Sequence, residues 1–232
     1  MVAPTSYALD SEQAADATTV AAVGKRLGLP DHAVTVALAA ALQESDLHDL
    51  THGDLDSVGI FQQRPSQGWG TRSQILVPRY AAAAFYRRLV EVPGWQQMAV
   101  TDAAQAVQRS AAPDAYAARE PEARLLAIAL TGEAPAGLSC HFDAAEGPSP
   151  ADALRQAMSA ELGAPTLGVN LSPARGWTVA SWLVAHAEQF RLSALTFDGL
   201  RWTPSRLGWT PAPVVAPRVT VTAALAPRAR SG

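Results

Sequence analysis

The chain has 232 residues, 48% hydrophobic and 17% charged, enough to bury a core in one large domain or two small ones. A formal net charge of -3 leaves no electrostatic basis for nucleic-acid binding. No apolar run approaches the roughly 20 residues that a membrane-spanning helix needs.

Alanine-rich segments and only 6% aromatic residues favour helix. Asp10-Ser11 followed by Gln13 reads as a helix start, with Ala14, Ala17, Val20, Ala21 and Leu27 at helical spacing and Gly28 at the end. Pro30-Asp31 opens a second helix through Val34, Leu38, Ala41 and Leu42. It has no polar residue between Val36 and Leu42, so burial on most sides is expected. From Ser45 to Trp69, Gly53, Gly59, Pro65 and Gly68 punctuate a polar stretch that reads as loop with short strands. Helical signals return over Pro78 to Val92, Thr101 to Ser110 and Pro121 to Leu130.

Ala134 to Pro150 is rich in Gly, Pro and Ser and is expected to be a linker. Helices follow over Ala151 to Leu162 and Gly176 to Phe190. Leu192 to Trp202 then reads as one or two strands, with Asp198-Gly199 as a hairpin turn. The Pro-, Ala- and Arg-alternating tail reads as disordered. The expected class is α+β, divided as an extension (1–9), a mainly helical domain (10–133), the linker (134–150), a small α+β accessory domain (151–210) and the tail (211–232).

Glu44 stands at the C-terminal end of the apolar second helix, sharing a face with Ala37, Ala40 and Ala41. Desolvation and the negative end of the helix dipole both disfavour the charged carboxylate and raise its pKa. Such a group can give a proton to a glycosidic oxygen near neutral pH. On position alone, an ordinary, partly exposed Glu at a frayed helix end is the commoner reading.

The residues that follow add to this. Glu44-Ser45, then Ser57-Val58-Gly59-Ile60-Phe61-Gln62 and Pro65, resembles the signature of soluble lytic transglycosylases and goose-type lysozymes, with Ile60 and Phe61 standing for Leu and Met. Gln62-Gln63-Arg64-Pro65-Ser66-Gln67-Gly68-Trp69-Gly70, with Ala104 to Ser110 and Tyr116, resembles an actinobacterial lysozyme-like subgroup. The resemblance covers roughly residues 10 to 132. It implies a mainly helical lysozyme-like domain acting on peptidoglycan glycan strands, with Glu44 as acid/base. Ser45, Ser57, Gln62, Gln63, Trp69, Gln108 and Tyr116 are the implied substrate-binding set. Trp69 is either a sugar-stacking platform or a core plug. The family's usual Tyr-Asn pair is replaced here by Gln105-Ala106, which leaves the far wall of the cleft undefined.

Retaining and inverting hydrolases need a second carboxyl group, whereas a lytic transglycosylase manages with one, because the substrate's own N-acetyl group attacks the anomeric carbon. Asp54 and Asp56 are the candidates for that second group. Asp46, His48, Asp49, His52, Asp54 and Asp56 also suggest metal ligation, but neither zinc nor EF-hand spacing is present, and no metal or cofactor is expected.

Gly176-Trp177 to Ala187, Leu195 to Trp202 and Gly208-Trp209 resemble a small domain appended to actinobacterial cell-wall proteins, a distant relative of metal-dependent carboxypeptidases. Its active relatives carry a His-containing Gly-Arg-Ala-x-Asp segment. Here Thr166 to Leu171 has Asn170 in place of the Asp and no His, so a zinc site is not expected and His186 reads as an ordinary helix residue. Trp177, Trp182, Trp202 and Trp209 form either a small core or a glycan-binding face.

Two functional readings stand: a peptidoglycan-cleaving enzyme, and a non-catalytic cell-wall glycan-binding protein with a lysozyme-like fold. A metal-binding module trails both. The start, Met1-Val2-Ala3-Pro4-Thr5, has neither a charged n-region nor an h-region, so no signal peptide is visible. The expected location is extracellular or cell-wall associated if an export or anchor segment lies upstream, and otherwise cytoplasmic. The lone Cys140 is a free thiol or the partner of a cysteine missing from this chain. Oligomeric state is left open.

Overall fold

Helix starts and stops in the first part follow local chemistry. The computed structural model describes residues 6–110, 113–143, 147, 149–163 and 166–223. Helix α1 (Ser11–Arg26) begins with a reciprocal capping box: the Asp10 carboxylate accepts from the Gln13 amide while the Gln13 side chain accepts from Asp10 N–H. Helix α2 (Asp31–Ser45) is buried from Ala33 to Leu42, Thr35 included, and this span contains the polar-free run from Val36 to Leu42 for which burial is expected. Short helix α3 (Arg72–Ile75), then α4 (Pro78–Glu91), α5 (Val100–Gln108) and α6 (Glu120–Leu130) complete the helical unit, with a 3₁₀ segment at Pro113–Arg119. Helix α2 is the hub, packing against α1, α4, α5 and α6. No helix among the described residues is long and apolar enough to cross a membrane.

Close packing around α2 depends on small residues. A Cβ on Gly24 of α1 would lie 2.7 Å from Tyr86 Oη, and that hydroxyl donates to Val20 O at 3.0 Å. The apposition of α1 and α4 therefore requires glycine at this position.

The chain divides into two units at Thr131/Gly132. The second carries α7 (Ala151–Leu162), α8 (Pro173–Ala185) and an antiparallel sheet of β1 (Leu192–Phe197), β2 (Leu200–Trp202), β3 (Thr210–Pro211) and β4 (Thr220–Ala223), in the order β3-β2-β1-β4. Asp198 (φ 48°) and Gly199 (φ 76°) make the two-residue turn, pairing Phe197 with Leu200. The architecture is a mainly helical unit followed by a small α+β unit.

Two expectations are corrected. The stretch expected to be a linker is fixed to the second unit over Leu138 to Phe142. Leu138 O accepts from Trp209 Nε1 (2.9 Å), Cys140 O accepts from Trp202 Nε1 (3.1 Å) and Ser139 Oγ accepts from Gly208 N (2.9 Å). Indole N–H groups near a core need acceptors, and this segment's carbonyls supply them. The tail expected to be disordered from residue 211 instead contributes β3 and β4, with Val221 facing Leu195 across the sheet. Its last residues, 224–232, lie outside the described residues, as do 1–5 of the expected N-terminal extension.

Trp177, Trp182 and Trp202 are buried, and Trp209 packs edge-on against Trp177 with ring centroids 5.1 Å apart, so the tryptophans build a core. Asn170 is held by Arg218 Nε at 2.8 Å. His186 is buried against Trp182, with ring centroids 4.0 Å apart.

Candidate active site

Glu44 occupies the last turn of α2, directly after the buried alanine face. Its carboxyl is half-buried, and desolvation raises its pKa against opposing hydrogen bonds from Tyr116 and Gln108. Tyr116 Oη donates to Glu44 Oε1 at 2.5 Å from the 3₁₀ segment, and its ring is fully buried. Both donors are neutral, and no cation takes part in the shift. Burial and the carboxylate beside it push the Tyr116 phenol up, so it stays a donor, and Ser110 hydrogen-bonds it in turn.

The turn after α2 is set by two residues in left-handed backbone, Asp46 (φ 55°) and Leu47 (φ 63°). Asp tolerates this region, whereas Leu does so only when its surroundings hold it. Leu47 is fully buried, and its N–H returns to Ala41 O at 3.3 Å. The helix end therefore stops abruptly at the catalytic candidate.

Gly59-Ile60-Phe61-Gln62 forms the tip of a tight hairpin closed by reciprocal backbone bonds between Val58 and Gln63 (3.1 and 3.0 Å). Ile60 and Phe61 plunge into the core, and Phe61 stacks on Phe85 at 4.8 Å between centroids. Their carbonyls do a second job. Ile60 O accepts from Ser45 Oγ (2.8 Å), and Phe61 O accepts from Gln108 Nε2 (2.9 Å). Two neighbouring carbonyls thus fasten the ends of α2 and α5 on either side of Glu44, and Gln108 also bonds the Glu44 carboxylate.

Of the residues singled out by sequence, Glu44, Gln108 and Tyr116 meet directly, while Ser45 fixes the helix end. Ser57 is buried with its hydroxyl donated to Asp54 O. Gln62 (φ 45°) donates to Gly59 O at 3.1 Å and packs over Gly53, where a Cβ would lie 1.8 Å from its Oε1. Gln63 is 1% exposed and donates to Ala81 O, so it braces α4 and has no surface to offer a ligand. Trp69 is 5% exposed, and the Arg88 guanidinium lies 3.5 Å over its ring, so that face cannot stack on a sugar.

The two second-carboxylate candidates differ. Asp54 is exposed on the loop. Asp56 accepts from Arg64 Nε (2.8 Å), Ser66 N (2.8 Å) and Ser66 Oγ (2.9 Å), which hold its carboxyl down at about 2. It fixes the turn that starts at Pro65.

The acidic and histidine-bearing loop is dispersed. Asp46 accepts from Gln13 Nε2 (3.1 Å) and pairs with Arg119 (3.5 Å), and His48 Nε2 lies 3.0 Å from Asp10 Oδ2. Among the described residues no three His, Cys, Asp or Glu side chains converge as a metal set.

Sequence reasoning missed the α1 contribution. Glu12 accepts from Asp49 N at 2.9 Å, and burial together with that nearby carboxylate raises Asp49 to about 6. Gln13 donates to Asp46 O at 2.9 Å, so the α1 cap also braces the turn after Glu44. Nothing local signals pairings across more than thirty residues. No family model matches the chain, and a comparison with curated proteins finds no match either.

Proposed function

We propose that the chain cleaves peptidoglycan glycan strands, with Glu44 as general acid and then general base. The observation that carries the reading is the Glu44 carboxyl itself: half-buried, raised in pKa by desolvation and contacted by neutral donors alone. A carboxyl paired to a cation would stay ionised and have no proton to give.

The chemistry favoured is that of a lytic transglycosylase. Glu44 transfers its proton to the glycosidic oxygen as the C1–O bond breaks, and the substrate's own N-acetyl oxygen captures C1. The Glu44 carboxylate then takes the proton of the same sugar's C6 hydroxyl, whose oxygen attacks C1, displaces the N-acetyl oxygen to restore the acetamide, and forms a 1,6-anhydro ring. One carboxyl suffices for both steps. The engagement of Asp56 by Arg64 and Ser66 supports this over a two-carboxylate hydrolase. The reading makes the protein extracellular or cell-wall associated.

The test is end-group analysis. Purified peptidoglycan is incubated with the protein, and the released muropeptides are identified by mass spectrometry. Anhydro-muramyl ends are expected. Reducing ends would replace the transglycosylase with a hydrolase, and binding without release would favour a glycan-binding protein.

A further inference from the structure

We propose that a hollow in the helical unit, between the C-terminal ends of α4 and α5, binds a carboxylate of an acidic peptide carried by the glycan strand. This assignment rests on the glycan reading above. The hollow has a volume of about 610 Å³ and is lined by Gln67, Arg88, Glu91, Ala106, Val107 and Arg109, among others. Glu44 is not part of its lining.

Its two arginines arrive by different means. Arg88 is pinned from behind, its guanidinium flat on the Trp69 indole and donating through Nη2 to Gln67 O at 2.9 Å. That bond uses one of five N–H donors, and the fork is already ordered before any ligand enters. Arg109 reaches the hollow because α5 ends there in left-handed backbone (φ 53°). Burial first, and then repulsion from the Arg109 guanidinium, weaken the hold of Arg88 on its proton. Glu91 offsets only one of the two charges. An incoming carboxylate would relieve this repulsion and accept in the bidentate geometry that guanidinium favours.

Size and position select the ligand. Inorganic phosphate would leave most of a hollow of about 610 Å³ empty, whereas a short peptide fills it. Val107 and Ala106 supply apolar wall for aliphatic side chains. Because Arg109 directly follows Gln108, which touches Glu44 and Phe61 O, a peptide stem on the strand bound at Glu44 is the occupant proposed for this hollow.

The test is calorimetric titration of the full chain carrying Glu44→Gln, which prevents turnover. The probes are neutral chitotetraose, a free acidic stem tetrapeptide, the disaccharide–tetrapeptide and inorganic phosphate. Adding Arg109→Gln should weaken both peptide-bearing ligands by about tenfold and leave chitotetraose unchanged. Arg109→Gly removes the same charge while relaxing the left-handed backbone, and it should weaken them equally. Unchanged peptide affinity in both variants, or no tetrapeptide binding by the parent, overturns the proposal. Phosphate binding as tightly as the tetrapeptide overturns the peptide assignment. Arg109-dependent tetrapeptide binding without chitotetraose binding would uphold the hollow and sink the glycan reading; the reverse pattern does the opposite.

Discussion

Glu44 is surrounded by donors that steady its charge without cancelling the effect of burial, and that balance makes two predictions. Tyr116 donates to the charged form and so holds the Glu44 pKa down against desolvation. Tyr116→Phe removes that bond and raises the pKa further. A general acid works while protonated, so the alkaline limb of kcat/KM for peptidoglycan release moves to higher pH in this variant; an unmoved limb would contradict the assignment. The second prediction concerns stability. Because the folded carboxyl sits above its ordinary 4.5, the folded state binds this proton more tightly than the unfolded chain does. The resulting destabilisation is absent where both states are protonated, and it grows as pH rises from the ordinary value through the folded one. Glu44→Gln carries no charge and still accepts from Tyr116, so it should raise Tm at pH 7 and leave Tm nearly unchanged at pH 4. A Tm lowered at pH 7 would mean that the carboxylate is stabilised, not strained, by its site.

At the scale of elements, the hairpin tip of residues 59–62 carries more than its sequence announces. The polar-free run of α2 was legible by composition, whereas the Gly-Ile-Phe-Gln pattern was singled out by resemblance alone. Neither told which backbone carbonyls would tie α2 to α5, because those bonds join residues 15 and 47 apart in sequence. The same limit explains Gln63 and Trp69, which look like polar and aromatic cleft residues until Ala81 O and Arg88 take them up. Asp56 is an element-scale residue in this sense. Its carboxyl is held down at about 2, so its stabilising contribution is present above its ordinary 3.8 and is lost as pH falls through about 2. Asp56→Ala should lower Tm at pH 7 and loosen the turn at Pro65, seen as faster amide exchange at Ser66. Peptidoglycan release should stay within a few-fold of wild type. A loss of release as deep as that of Glu44→Gln would instead make Asp56 the second catalytic carboxylate.

Across the whole molecule, two glycines guard the two units separately. A Cβ on Gly176 of α8 would lie 1.9 Å from Phe197 Cζ, a buried ring with no room to retreat, just as Gly24 of α1 meets Tyr86. Gly24→Ala and Gly176→Ala should each destabilise by about 1–3 kcal/mol through overpacking. Hydrogen exchange should show the effect confined to residues up to 131 in the first case and from 132 onward in the second. Exchange that speeds up throughout the chain in either variant would mean the two units unfold as one. The second unit was the less legible of the two. Its hairpin was announced by Asp198-Gly199, but the Leu138 to Phe142 segment has no periodicity and is fixed by indoles more than sixty residues away. Thr220-Val221-Thr222 did carry a signal in its β-branched residues, and the surrounding Pro and Ala masked it.

The central claim is that the Glu44 proton breaks the glycan strand, and the most direct measurement is the initial rate of muropeptide release by wild type and by Glu44→Gln at equal protein concentration, after circular dichroism has shown equal folding. The account predicts a fall of roughly 10²–10⁴-fold, the range that a positioned general acid contributes. Release by the variant within a few-fold of wild type would contradict it.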